Sequence, residues 1–365
     1  MKTNEIILQA NKLKASDVHI TVGRPPIFRI NGLLTRMDDP EIRNGLPEEQ
    51  QEEIGSLMPQ ETDALLQEII KPEHYEGLMK KGEIDFSYSV PGLLRVRVNA
   101  FKQRGSIAFV MRLLDTNIPS FSDLGLPYIL NYLSQRSRGL VLVTGPTGSG
   151  KSTTLAAMVD LMNREKRLHI ITLEDPIEYL HRHNLCTINQ REIGGDTKSF
   201  GTAMRAALRE DPDVILVGEM RDLETISTAL TAAETGHLVL ATLHTSGAPE
   251  TIDRVVDVFP PNQQQQIRVQ LASTLEGIVS QLLLPNVDGS GRVPALEIMV
   301  TNLAIKNLIR ENKTYQVLSQ IQTGGKNGMV TLDMSLRDLV RRGLIDKMEA
   351  LHYARDPEKL KLDMV

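Results

Sequence analysis

The sequence predicts an α/β protein with a parallel sheet in its central part, a small α+β domain before it and a helical region after it. Short apolar segments alternate with helical ones from about Leu124 to Pro285, the pattern of strands connected by helical crossovers. Strands in the first third of the chain follow one another directly, which indicates an antiparallel sheet. Beyond Thr301 the apolar spacing is helical. The predicted segments are therefore 1–115, a linker 116–123, a core 124–290 and a C-terminal helical region 291–365.

Composition excludes several classes of protein. The chain has 365 residues, enough for two or three domains, with 41 basic and 46 acidic side chains and a net charge of −5. An acidic balance and 4% aromatic residues argue against a nucleic-acid-coating protein, so no nucleic acid is expected as a partner. A single cysteine, Cys186, excludes a disulfide framework and a four-cysteine zinc site.

The chain also lacks membrane and export signals. No apolar run approaches the roughly 18 residues needed to cross a bilayer. The first eleven residues include the acid and amide groups of Asn4, Glu5, Gln9 and Asn11, where a signal peptide would have its apolar core. We therefore expect a cytoplasmic protein with no membrane span of its own, working at a membrane only through a partner.

The first segment shows the pattern of a small α+β domain. A helix is predicted near Asn4 to Leu13, and a polar stretch from Pro47 to Lys81 is predicted to be mostly helical. An Asn-Gly pair inside Phe28–Leu34 predicts a hairpin. Further strands are predicted at 16–22, 84–90, 93–101 and 107–114.

The segment GPTGSGKS at 145–152 matches the phosphate-binding pattern G-x-x-x-x-G-K-[ST] at every fixed position. It follows an apolar, β-branched segment, 139–144, and precedes a helical pattern at 153–162, which is the context that the pattern requires. A glycine-rich turn without function is the alternative, and the agreement of strand, loop and helix argues against it. The sequence predicts a site for a nucleoside triphosphate.

The residue types in this loop suit phosphate. Glycines let backbone N–H groups converge on one cavity, and the positive end of the following helix faces that cavity. Lys151 can reach the β- and γ-phosphates, and the Ser152 hydroxyl can help to hold Mg²⁺. The predicted nucleotide contacts are Gly145, Pro146, Thr147, Gly148, Ser149, Gly150, Lys151, Ser152 and Thr153.

Acidic residues follow two further predicted strands. Glu174 and Asp175 come after the strand 169–173, at the carboxyl edge where ligands of parallel sheets bind, although a solvated acidic loop is the alternative. The strand 213–217 leads to Gly218 where a Walker B strand usually ends in a metal-binding aspartate. The next residue, Glu219, is better suited to orienting the attacking water. We therefore expect Ser152 with Glu174 or Asp175 to hold the metal.

Histidines stand at both ends of the predicted strand 237–244. A spacing of seven places His237 and His244 on opposite faces of a regular strand, so they cannot share one role. His244 lies at the ligand-bearing end and could sense the γ-phosphate. His237 is as well explained as a structural hydrogen-bonding residue.

Taken together, these segments resemble the secretion-type ATPase superfamily, and within it the pilus-retraction motors, over nearly the whole chain. GPTGSGKSTT resembles the family's Walker A motif, and ITLEDPIEY (171–179) resembles its aspartate box. LREDPDVILVGEMRD (208–222) resembles its atypical Walker B motif, and TGHLVLATLHT (235–245) resembles its histidine box. ASDVHI (15–20) is similar to the start of its PAS-like N-terminal domain. AIKNLIRE (304–311) is similar to the signature AIRNLIRE, with Lys306 in place of arginine.

The resemblance implies a PAS-like N-terminal domain, a RecA-like ATPase core and a homohexamer in which each N-terminal domain packs on a neighbour's core. The residue pattern alone favours an exposed face for the four arginines of the first segment, Arg95, Arg97, Arg104 and Arg112. The resemblance changes that interpretation. In this superfamily such residues complete a nucleotide site, and Arg97 and Arg112 are the first candidates, with Arg104 behind them.

The function expected from the resemblance is a hexameric, ATP-hydrolysing motor that retracts a type IV pilus through an inner-membrane platform protein and the pilus machinery. A pilus-extension or type II secretion ATPase is the nearest alternative. Those commonly carry a long extra N-terminal domain and often a four-cysteine zinc motif, whereas here only a short segment precedes ASDVHI and only Cys186 is present. A nucleotide-gated scaffold without turnover is the alternative of another class, and Glu219 argues against it.

Overall fold

The structure is a computed structural model that describes residues 1–45, 51, 54–90, 93–114, 117–289 and 291–364. The chain divides into two compact units. The N-terminal unit comprises Met1–Asn117 and Glu178–Leu180, and the C-terminal unit comprises Ile118–Ile177 and His181–Val365. None of the described helices is both long and apolar enough to span a bilayer.

The N-terminal unit contains a six-stranded antiparallel sheet with strand order β3-β2-β1-β6-β5-β4. Its elements, in chain order, are α1 (Thr3–Lys12), β1 (Asp17–Ile20), β2 (Ile27–Ile30), β3 (Leu33–Arg36), α2 (Pro40–Arg43), α3 (Pro59–Gln67), α4 (Pro72–Lys81), β4 (Glu83–Val90), β5 (Leu94–Gln103) and β6 (Ser106–Leu113). This confirms the small α+β domain predicted for this part of the chain. Within the stretch predicted to be helical, 47–50 and 52–53 lie outside the described residues.

Turn chemistry explains the hairpins of this sheet. Asn31 and Gly32 both have positive φ, 49° and 82°, which is the conformation of a two-residue turn between β2 and β3. Arg104 and Gly105 repeat this arrangement between β5 and β6, with φ of 47° and 79°. The predicted Asn-Gly hairpin is therefore confirmed, and a second one is centred on Arg104.

The strands of this sheet bury one face. Along β5, Val96 and Val98 are fully buried, whereas the intervening Arg97 is exposed. Along β6, Phe109 and Met111 are fully buried, whereas Arg112 is exposed. The period of two along each strand therefore places apolar side chains in the core and arginines on the opposite face.

The C-terminal unit contains a seven-stranded sheet with strand order β13-β12-β7-β11-β10-β8-β9. Its strands are β7 (Gly139–Thr144), β8 (His169–Glu174), β9 (Thr187–Glu192), β10 (Val214–Val217), β11 (Leu238–Leu243), β12 (Leu275–Pro285) and β13 (Arg292–Val300). Strands β7 to β12 pair in parallel with one another, as predicted for a RecA-like core.

Helices flank this sheet and continue to the end of the unit. They are α5 (Ile129–Ser134), α6 (Lys151–Glu165), α7 (Phe200–Ala207), α8 (Leu223–Glu234), α9 (Ala248–Asp257), α10 (Pro261–Thr274), α11 (Leu303–Arg310), α12 (Val317–Thr323), α13 (Leu332–Arg341), α14 (Lys347–Tyr353) and α15 (Pro357–Asp363). The four central strands β7, β11, β10 and β8 are buried along nearly their whole length, which explains their continuous apolar sequences.

The segment 291–365, predicted to be helical, differs from that prediction at its start. Residues Arg292–Val300 form β13, which pairs antiparallel with β12 from Arg292↔Pro285 to Val300↔Gly277. The apolar run of this segment is buried against the sheet and α13, so tertiary pairing determines its conformation. The sheet therefore extends ten residues past position 290, and the helices begin at Leu303.

Helix α11 carries the segment that resembles the retraction motors' signature. Ile305 and Ile309 are fully buried in the core beneath the sheet, and Leu308 packs partly against the same core. The predicted apolar stripe at i, i+3 and i+4 is thus confirmed. Arg310 is exposed at the end of the helix.

Candidate functional site

The glycine-rich loop lies between β7 and α6, as the sequence predicts. Gly145, Gly148 and Gly150 all have positive φ, and α6 begins at Lys151. Lys151 is buried, and its Nζ donates to the carbonyl oxygens of Gly145 and Pro146 at 2.9 Å each. These carbonyl contacts hold the ammonium group over the loop, where an incoming phosphate can replace them.

The glycine-rich loop packs closely against strand β12. A Cβ at Gly145 would collide with the carbonyl oxygen of Gln281, so the loop can approach the strand only with glycine at this position. The buried side chain of Gln281 accepts a hydrogen bond from the Thr154 hydroxyl at 2.8 Å. A Cβ at Gly150 would lie 2.8 Å from the Gln281 amide nitrogen. Gln281 therefore fixes the loop and the first turn of α6, a role that the sequence analysis missed.

Two hydroxyl groups near the loop fit a polar ligand. The Ser149 side chain is 3% exposed, and its Oγ has no hydrogen-bond partner among the described residues. The buried hydroxyl of Thr144, at the end of β7, is likewise without a partner in the described part of the chain. Buried hydroxyls normally have partners, so these two could hydrogen-bond to a polar group bound at the loop.

Parallel pairing brings the other predicted residues to the same edge of the sheet. The register pairs Thr144 with Leu243, and Val217 with Leu173. The loop, His244, Glu219 and Glu174 therefore lie at the carboxyl ends of four adjacent strands, β7, β11, β10 and β8. This edge is where open α/β sheets bind ligands.

Glu219 is held by two basic side chains. Its Oε1 lies 2.6 Å from Nε of Arg221 and 3.1 Å from Nε2 of His244. Partial burial would raise the pKa of Glu219, but the hydrogen bonds and charges of Arg221 and His244 outweigh it, so the pKa lies below its usual value. Glu219 is therefore an ionised carboxylate at neutral pH, the form required to orient a water molecule.

Gly218 has a structural reason to be glycine. Its N–H donates to the Leu173 carbonyl at 2.7 Å, and its own carbonyl accepts a hydrogen bond from Thr242. A Cβ at this position would lie 3.2 Å from the Leu173 oxygen and 3.3 Å from the Glu174 Cα. The usual Walker B aspartate would thus press on the backbone of β8, which explains the glycine before Glu219.

The end of β8 and the loop that follows it supply the carboxylates of Glu174 and Asp175, which could hold a metal ion. Oε1 of Glu174 accepts hydrogen bonds from Thr172 at 2.6 Å and from Gln190 at 3.2 Å, which orient its side chain. No group of three or more His, Cys, Asp or Glu side chains forms a metal site by itself in the described ranges. Hydroxyl and carboxylate oxygens are nevertheless what Mg²⁺ prefers, and a nucleotide's phosphates complete its shell. Ser152, Glu174 and Asp175 fit that donor set.

The two histidines have different surroundings. Nδ1 of His237 lies 3.0 Å from the Ala232 carbonyl and 3.3 Å from the Thr235 hydroxyl, at the entry to β11. His244 contacts Glu219 at the opposite end of the strand. These contacts agree with a structural part for His237 and place His244 among the site residues.

The candidate arginines are not all together in the N-terminal unit. Arg97 and Arg112 are directly opposite each other on β5 and β6, and Asp17 is opposite Arg112 on β1. Nε of Arg112 lies 2.9 Å from Oδ1 of Asp17. Burial would raise the pKa of Asp17, but hydrogen bonds from Ser16 and Arg112 lower it below its usual value. Arg104 lies in the hairpin turn seven residues along β5 from Arg97, about 23 Å away at the usual rise per residue.

Comparison with known proteins identifies the family of the chain. Residues 82–352 match the family model described as type II/IV secretion system protein. The chain is 47% identical to the type IV pilus retraction ATPase PilT of Pseudomonas aeruginosa, over 98% of this chain and 99% of that protein. It is 46% identical to a twitching motility protein of Neisseria gonorrhoeae, over 92% of this chain and 86% of that protein.

Solved structures give the same result. The chain matches a crystal structure of the pilus retraction motor PilT with bound ADP at a TM-score of 0.89 and 49% identity, and 99% of each chain is covered. The match covers both units, so the fold is shared along nearly the whole chain. The chain belongs to the type II/IV secretion system ATPase family.

Proposed function

We propose that this protein is an ATP-hydrolysing motor that powers retraction of a type IV pilus. The observation that carries the proposal is the single sheet edge where a phosphate-binding loop, an ionised Glu219 and His244 follow adjacent strands. A nucleotide-gated scaffold would need the loop but no ionised carboxylate held by Arg221 and His244. The relatives named above, a retraction ATPase and a twitching motility protein, supply the cellular context.

The residues divide the work of hydrolysis. Lys151 leaves its carbonyl partners and binds the β- and γ-phosphates, with backbone N–H groups of the loop around them. Mg²⁺, held by Ser152 and the acidic loop after β8, would neutralise phosphate charge when bound. Glu219 orients a water molecule for attack on the γ-phosphorus, which releases ADP and inorganic phosphate. His244 keeps Glu219 in place and faces the phosphate that leaves.

The arginine pair of the N-terminal unit would complete a nucleotide site in a homohexamer. Arg112 is preordered by Asp17, and Arg97 lies beside it on the same face of the sheet. Two guanidinium groups on one rigid sheet can neutralise charge on a transferring phosphoryl group, because their planar donors match phosphate oxygens. Arg104 would lie outside this pair.

The motor would act at the cytoplasmic face of the inner membrane, on a platform protein and the pilus machinery. Lys306 and Arg310 are four residues apart on α11, and the buried Ile305 and Ile309 leave them on a different face of the helix. We assign this basic face to contact with a partner. An extension or type II secretion ATPase remains the alternative within the family, and the presence of only one cysteine argues against it.

Twitching in cells that lack their native retraction motor tests the proposal. We expect the wild-type chain to restore twitching and Glu219→Gln not to restore it, although both accumulate to the same level. The double variant Lys306→Glu, Arg310→Glu should retain ATPase activity, because these changes are remote from the phosphate loop in the chain. It should lose twitching, because the basic face assigned to contact with a partner is reversed in charge. Failure of the wild-type chain in its own host, with normal ATPase activity, would point to extension or secretion instead.

A further inference from the structure

Arg355 lies between the last two helices, α14 and α15, and contacts the turn that follows His244. One of its guanidinium nitrogens, Nη2, donates to the carbonyl oxygen of Ser246 at 3.3 Å. The other, Nη1, donates to Glu250 on α9 at 3.2 Å. Nη2 also reaches Oε1 of Glu297 on β13 at 3.3 Å. A single side chain of the C-terminal helices thus joins three separate parts of the core.

Glu297, the partner of Arg355 on β13, is a buried residue. Its residue is 1% exposed, and its Oε1 also accepts the backbone N–H of Ala248, the first residue of α9, at 2.9 Å. Burial raises the pKa of Glu297, against the opposing effects of the Ala248 N–H and Arg355. A buried carboxylate that loses its cation is costly, so the pair with Arg355 holds the start of α9 in one position.

This turn directly follows His244 in the chain. Ser246 is two residues after His244, and Gly247, next to Ala248, has φ of 132°, so a chain with ordinary side chains would rarely adopt this turn unaided. Hydroxyl groups of Thr245 and Thr251, 2.7 Å apart, connect the turn to α9. Since His244 contacts Glu219 at 3.1 Å, a shift of the turn would alter the contact that orients Glu219.

We infer that Arg355 is a positioning residue for hydrolysis, which acts through the turn 245–247 to hold His244 against Glu219. Arginine suits this position because its planar fork can bind a carbonyl and two carboxylates at once, whereas a lysine ammonium group is compact. The C-terminal helices then communicate with the nucleotide site through this side chain. This inference rests on the proposed roles of Glu219 and His244.

A double-mutant cycle on the full-length chain tests the inference. The variants are Arg355→Gln, His244→Ala and the combination, with Arg342→Gln as the matched control. Arg342 is an exposed arginine of the same helical region, paired with Asp338 at 3.4 Å. We expect Arg355→Gln to lower kcat about tenfold with nucleotide affinity nearly unchanged, since misplacement of a catalytic group lowers turnover rather than binding. Arg342→Gln should behave as wild type.

The cycle distinguishes positioning from a merely structural role. If Arg355 acts through His244, adding Arg355→Gln to His244→Ala should cause no further loss of kcat. Losses that multiply, or a wild-type kcat for Arg355→Gln, would overturn the inference and leave the proposed function intact. A wild-type kcat for His244→Ala would instead refute the role proposed for His244 and the inference with it.

Arg355→Lys keeps the test decisive if Arg355→Gln does not fold. Lysine retains a positive charge beside Glu297, so we expect normal thermal unfolding. It cannot reproduce the fork to Ser246 and Glu250, so kcat should still fall about threefold or more. A folded Arg355→Lys protein with wild-type kcat would overturn the inference.

Discussion

Replacing Gly218 by alanine tests why this family member has a glycine before Glu219. The added Cβ would lie 3.2 Å from the Leu173 carbonyl oxygen and 3.3 Å from the Glu174 Cα. Both are backbone atoms of β8, and Gly218 is itself tied to Leu173 by a 2.7 Å hydrogen bond. Neither side can yield by rotating a side chain, so the strands must separate by a few tenths of an ångström.

Overpacking of this kind costs about 1–3 kcal/mol of unfolding free energy. For a unit of this size, each kcal/mol lowers Tm by about 2–4 °C. Glu219 is the next residue, so the displacement should also lower kcat. Aspartate, the residue usual in Walker B strands, should cost at least as much as alanine, because it has the same Cβ and a carboxylate in addition.

Gly195→Ala is the matched control. Gly195 lies in a loop of the same unit, has no positive φ, and an added Cβ would meet nothing within 4 Å. Thermal unfolding and ATP turnover of both variants should show a loss for Gly218→Ala and none for Gly195→Ala. Equal Tm and kcat for the two variants would refute the argument that close approach of β8 requires the glycine.

Three further predictions follow from individual contacts. Arg221→Ala removes a hydrogen bond and a charge that lower the pKa of Glu219, so that pKa should rise and the acidic limb of the kcat–pH profile should move to higher pH. An unchanged limb would exclude Arg221 from this role. Gln281→Met and Thr154→Val each leave the other buried group unpaired, so each should cost about 1–3 kcal/mol, whereas the double variant should cost less than their sum. Strict additivity in thermal unfolding would contradict the pairing. Arg112→Ala should still bind ATP and form rings but hydrolyse about 10³-fold more slowly or worse, as expected for an arginine that meets the transferring phosphoryl group. Wild-type turnover would return it to the exposed-face interpretation.

Features that depend on contiguous residues were predictable from the sequence. The phosphate loop between β7 and α6 follows from its glycines and its flanking patterns, and the β2–β3 hairpin follows from Asn31 and Gly32. Ile305 and Ile309 could be assigned to a buried stripe because helical spacing alone determines which residues share a face. In each case the physical cause acts over a few residues.

Features that depend on distant parts of the chain were not predictable. Thr154 and Gln281 are 127 positions apart, and Arg355 is 109 positions from Ser246, so no local pattern connects them. Strand β13 was missed because its conformation depends on pairing with β12. The contact of Arg221 with Glu219 was also missed, although it is local. Arg221 stands only two residues after Glu219, so the sequence could have indicated this pair.

Comparison of nucleotide binding with turnover in two variants tests the central claim, that the chain hydrolyses ATP with Glu219 as the residue that orients water. Lys151→Ala should weaken ATP binding and hydrolysis together, because it removes the cation that binds phosphate. Glu219→Gln should bind ATP with nearly wild-type affinity and release phosphate about a hundredfold more slowly or worse. Phosphate release by Glu219→Gln at the wild-type rate would contradict the account.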